Sequence, residues 1–134
     1  MASLTKLHDE ATTAAISTFR RATEEIRQHL DMILAGDEFA SSRRSSELLR
    51  HIVERALAGD LQNLKERLLG VNIFLRRSDY DTSTDAIVRV TASDVRRRLA
   101  NYYSEHSAAT MRISLLSGRM FLTLYRLRRE AIHP

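Results

Sequence analysis

The chain's only proline is its last residue, Pro134, and glycine occurs just four times in 134 residues. Proline and glycine are the residues that break helices, by removing a backbone donor or by adding backbone freedom. A chain nearly without them is free to run in long helices, and the apolar pattern follows that period. In residues 9–35, Phe19, Ala22, Ile26, Leu30 and Ile33 step by three and four, drawing one stripe along a long helix that Gly36 closes. Leu48, Leu49, Ile52, Val53 and Leu57 predict a second helix over roughly 45–58, capped by Ser45 or Ser46 and stopped at Gly59. A shorter helix is expected in "LQNLKERLLG" through Leu61, Leu64 and Leu68. A basic one is expected over 85–104, its apolar side built from Ile87, Val88, Val90, Ala92, Val95 and Leu99. Past residue 110 the period changes. "MRISLL" and "MFLTLYRL" read as two strands around the turn Ser117-Gly118-Arg119, a hairpin.

With 43% hydrophobic and 28% charged residues, the composition is that of one globular domain. The absence of cysteine excludes disulfides, thiol catalysis and cysteine-held zinc, and fits a reducing cytoplasm. No apolar run reaches membrane-spanning length and no signal-peptide core is present, so a membrane is not an expected partner. The net charge of +4 is unevenly placed. Residues 85–129 hold nine arginines against three acids, while the remainder carries twelve bases against fourteen acids. Such asymmetry suits a negative partner met on one side.

Three short helices followed by a hairpin is the order of a winged helix-turn-helix, whose third helix enters the major groove while the wing rests on backbone or minor groove. The expected fold class is therefore α+β and mostly helical: three helices plus a β-hairpin wing, with an extra long N-terminal helix. The corresponding division is a helix at 1–36, a winged domain at 37–127 and a basic tail at 128–134.

Residues 39–103 carry more specific motifs: Phe39, Ser42 and Arg44; Leu57-Ala58-Gly59; Leu64-Lys65-Glu66; Asp81 and Asp85 ahead of Ile87-Val88-Arg89-Val90; and Tyr102-Tyr103. In these the chain resembles a bacterial winged-helix family, itself similar to the DNA-binding output domains of response regulators. Its members commonly sit at the N-terminus of larger proteins. The resemblance implies DNA binding by the basic helix. Asp94 departs from the pattern, standing where that family usually has a basic or neutral residue, and is expected to weaken phosphate attraction locally.

On the basic helix, Arg89, Ser93, Arg96 and Arg97 step by four, three and one, and share the side away from the apolar stripe. An arginine fork can take guanine O6 and N7 together or clamp a phosphate. Arg112 and Arg119 belong to the hairpin, with Arg119 at its tip and suited to phosphate or minor-groove contact. Asp81 and Asp85 read as helix-capping carboxylates rather than metal ligands. The five histidines are scattered, and no nucleophile–base pair or phosphate-cradling glycine loop is present. The expectation is a non-enzyme without metal or cofactor: a cytoplasmic transcription regulator on double-stranded DNA. It would act as a homodimer joined through Phe19, Ala22, Ile26, Leu30 and Ile33. Two alternatives stay open. The long helix could fold back on its own domain, and the scaffold could be a protein-interaction adaptor without DNA binding.

Overall fold

The computed structural model describes residues 2–115 and 123–127, with side-chain surroundings given for 9–115. Helix α1 spans Ala2–Ala35, α2 Asp37–Ala40, α3 Arg43–Leu57, α4 Glu66–Phe74 and α5 Ile87–Glu105. A 3-10 turn, Gln62–Leu64, precedes α4. Strand β1, Met111–Leu115, runs antiparallel to β2, Thr123–Leu127, with Met111 opposite Leu127.

This corrects the expected fold class. The described chain is a mostly helical assembly of five α-helices, and a winged helix-turn-helix is not shown. Residues 116–122, which would form the wing's tip with Ser117, Gly118 and Arg119, lie outside the described residues. The long helix is no addition to a closed three-helix core either. Ile26, Leu30 and Ile33 are buried together with Phe39, Leu48, Leu49, Ile52, Val95, Leu99 and Ile113 in one core. The reason is area. Helices α3 and α5 with β1 leave an apolar side open, and α1 covers it, each large side chain contributing about 1.5–3 kcal/mol when fully buried. The division at residue 36 therefore cuts through the core. Of the expected dimer seam, Ile26, Leu30 and Ile33 are taken by their own domain and cannot line an interface between copies. Ala22 is half-buried, while Phe19 (65%) and Ile16 (48%) are exposed.

The helix ends have local causes. Ser42, rather than Ser45 or Ser46, caps α3, its hydroxyl accepting from the Ser45 N–H at 3.2 Å. Gly59 (φ +72°) ends it, with the Asp60 N–H donating to the Arg55 carbonyl and the Gly59 N–H to that of Ala56. Helix α4 does not stop at Gly70 but runs on to Phe74. Gly70 is needed there because a Cβ would lie 2.2 Å from the Tyr80 hydroxyl. The carboxylate of Asp85 accepts from the Ile87 N–H at 3.2 Å and starts α5. Asp81 holds the preceding turn through the N–H and hydroxyl of Ser83.

Candidate nucleic-acid interface

Helix α5 is the central element, packed on α3, α4 and β1 through Val88, Thr91, Ala92, Val95, Leu99, Tyr102 and Tyr103. At 100° per residue, those positions leave one arc for solvent. It carries Arg89, Val90, Ser93, Arg97, Ala100 and Asn101, all exposed. Half-buried Arg96 borders the arc on the β1 side and half-buried Asp94 on the α3 side.

The arginines do not wave freely. Arg89 donates to both carboxylate oxygens of Glu66, at 2.9 and 3.2 Å, and to the Thr82 carbonyl at 2.8 Å. Arg97 donates to Asp94 at 2.5 Å. Arg96 donates from Nε to the Leu115 carbonyl at 3.0 Å, which ties the helix to the end of β1. Arg112 lies over the Tyr103 ring, 5.2 Å from its centroid. Between α5 and β1 a groove of about 560 Å³ is lined by Arg96, Ala100, Ser104, Arg112 and Ser114, among others. The structure thus brings Arg89, Ser93, Arg96 and Arg97 onto one side and sets Arg112 beside Arg96. Arg119 lies outside the described residues.

Asp94 has a role that sequence reasoning missed. Its carboxylate accepts from the Ser45 hydroxyl at 2.5 Å, from Arg98 at 2.6 Å and from Arg97. Arg98 continues the tie to the Glu38 carbonyl and, at 2.8 Å, to the Ser41 hydroxyl. Burial works against the charge of Asp94, but the donors from Ser45, Arg98 and Arg97 outweigh it and hold the carboxyl well below the usual range. The acid that looked like a fault in a phosphate-binding helix is the hub that pins the start of α3 and the α2–α3 link onto α5. An acid beside two arginines (i+3 and i+4) was the available signal.

Val90 was also misplaced. It was expected in the apolar stripe, yet it is 64% exposed. Its seven-residue offset from Arg97 puts the two on one side. Tyr102 and Tyr103 are buried in the core, so neither offers an open stacking face. Among the described residues no helix is long and apolar enough to cross a membrane. Comparison with known protein families, with curated proteins and with solved structures found no match to this chain.

Proposed function

We propose that the chain binds double-stranded DNA through the outward arc of α5 and acts as a transcription regulator. One observation carries the reading: Arg89, Ser93 and Arg97 share an exposed arc that Arg96 borders, with Arg112 across a groove. Arginine forks on one side of a helix fit a major groove, where base edges and phosphates are both in reach. Salt bridges to Glu66 and Asp94 pre-position two of the forks, and those carboxylates must yield or share when phosphate approaches. The motifs in residues 39–103 and the excess of arginine after residue 84 support the same reading.

Binding to random-sequence duplex DNA across a salt series tests it. The expected log–log slope is about −0.9 per phosphate neutralised. Arg97→Ala and Arg89→Ala are expected to relax sequence preference, at roughly 1–3 kcal/mol for each bidentate base contact. Arg112→Ala is expected to weaken all duplexes alike. Folded protein with no duplex binding at low salt overturns the proposal.

The self-pairing of the arginines favours a second reading, an interaction adaptor that does not bind DNA. Glu66→Gln separates the two. It releases Arg89, and a DNA-binding arc then gains affinity at low salt, whereas an adaptor shows no duplex binding before or after the change. Pairing of two copies remains part of the proposal, carried now by the outer part of α1 with Ile16 and Phe19. It would place two α5 helices at a set spacing and give an inverted-repeat site.

A further inference from the structure

The outward arc of α5 carries one side chain that neither the core nor the charge pattern accounts for. Val90 stands in the first turn of the helix and is 64% exposed. A β-branched side chain gives up rotamer freedom in a helix, so propensity alone disfavours valine at a solvent-facing position. The buried face of α5 is built from Val88, Ala92, Val95 and Leu99 on the opposite side, and Val90 takes no place in it.

Its position is among the most outward on the helix. At 100° per residue, Val90, Ser93, Arg97 and Ala100 fall within about 80° of one another, and the middle of that line lies opposite Val88 and Val95. Arg89 and Arg96 stand about 80–100° to one side of Arg97. Both are held by groups outside the helix, Arg89 by Glu66 and the Thr82 carbonyl, Arg96 by the Leu115 carbonyl. When a helix lies in a groove, the line farthest from its own core enters deepest. Val90 is the large apolar side chain on that line, and it sits toward the helix N-terminus, the end that reads bases in helix-turn-helix docking.

The chemistry that such a side chain recognises is narrow. Base pairs present hydrogen-bond donors and acceptors in the major groove, and the 5-methyl of thymine is the apolar group among them. The γ-methyls of valine exchange no hydrogen bonds. Set against a donor or acceptor, they strip it of water without return, whereas against a methyl group they bury apolar surface on both sides. We propose that Val90 packs on the 5-methyl group of a thymine and so selects an A·T pair at the position it meets. The proposal rests on the DNA-binding reading above and adds a base identity to it. Ser93, exposed on the same line, has a hydroxyl that can donate or accept and therefore discriminates less.

The full chain is first used to enrich its preferred duplex from a random-sequence pool at low salt. Each thymine of that duplex is then replaced in turn by deoxyuridine, which removes the methyl group and leaves base pairing intact. Affinity is expected to fall about 4-fold at one thymine for each α5 engaged, the worth of one methyl group taken from water. Val90→Ala is expected to bind the thymine and deoxyuridine duplexes alike at that position, with its thermal unfolding not lowered. Val90→Thr keeps one γ-methyl and is expected to retain part of the discrimination. Arg97→Ala is expected to weaken binding while keeping the thymine-to-deoxyuridine ratio. Affinity indifferent to methyl removal at every thymine overturns the proposal, and so does a Val90→Ala chain that keeps the full ratio. No duplex binding by the folded wild-type chain removes the DNA-binding reading itself, and this proposal with it, so the two failures are told apart.

Discussion

The two parts of α1 share one helix and one apolar stripe but have different fates. From Ala22 to Ala35 the stripe is roofed by α2, α3 and β1, with Leu30 and Ile33 fully buried. From Asp9 to Arg21 every residue is exposed, including Phe19 and Ile16. The inner part has a polar anchor as well. His29 Nε2 lies 2.9 Å from the Tyr103 hydroxyl, which accepts from the Ile113 N–H at 2.7 Å. With its lone pair thus engaged, the phenol is free to give its own proton to a neutral His29. Burial favours that neutral form by lowering the His29 pKa, and it pushes the Tyr103 hydroxyl up to about 12. One small network therefore joins α1, α5 and β1. The difference teaches that an amphipathic stripe states that a helix will bury something, without stating what. Steps of three and four run without a break from Ile16 and Phe19 into Ala22, Ile26, Leu30 and Ile33, and the partner decides.

The comparison breaks most directly by cutting the stripe in each part. Leu30→Ala is expected to destabilise the fold by about 2–5 kcal/mol, the usual cost of a lost methyl cluster plus its cavity. Phe19→Ala is expected to stay within about 0.5 kcal/mol in dilute protein, as exposed substitutions do. Urea denaturation reads both. A similar loss at the two positions would mean that the outer part is packed in solution.

The polar anchor gives a smaller, pH-dependent effect. The folded-state pKa of His29 lies below its unfolded value of 6.5, so the unfolded chain takes up the proton first. The stability from this site is complete above about pH 6.5 and declines as pH falls below it. His51 is lowered too, by burial and then by Arg55, and works in the same direction. The informative quantity is therefore the difference between wild type and His29→Gln, whose amide can still accept from Tyr103. The substituted chain is expected to lose less stability than wild type between pH 7.5 and pH 5.5. Parallel curves would remove His29 from the anchor.

The smallest effect on stability, and the sharpest on assembly, is expected from Ile16→Glu with Phe19→Glu. Unfolding should shift by no more than about 0.5 kcal/mol. If the outer part of α1 pairs two copies, sedimentation should show a wild-type dimer at tens of micromolar and a monomeric variant. A wild-type monomer at that concentration refutes the pairing, and a dimer indifferent to the charges moves the interface elsewhere.

Much of the secondary structure was readable before any coordinates, because helix period and helix ends are local. The stripes of α1, α3 and α5, the stop at Gly59 and the capping carboxylate of Asp85 each depend on residues within a turn or two of one another. Errors arose where distant residues competed for the same position. The short helix expected in residues 61–70 lies instead at Glu66–Phe74, with Tyr80 packed against Gly70, and Val90 looked like core although the arc it shares with Arg97 faces solvent. In the candidate interface, the shared side of Arg89, Ser93, Arg96 and Arg97 was legible from spacing alone. Their carboxylate partners were legible only in part, since Asp94 is three residues from Arg97 whereas Glu66 is 23 from Arg89.

By itself, then, the sequence determined that this chain is largely helical, where α3 and α5 lie to within about two residues at each end, and which side of the basic helix is charged. These follow from backbone sterics, capping and periodicity, which act over a few residues. Only the tertiary structure decided that α1 completes the core instead of standing apart, that a five-helix assembly stands where a winged helix-turn-helix with an added N-terminal helix was expected, and that Asp94 is a structural hub. Those outcomes depend on which apolar and charged surfaces of separate elements meet, and burial has no range limit along the chain: Ile33 and Ile113 share one core with 79 residues between them.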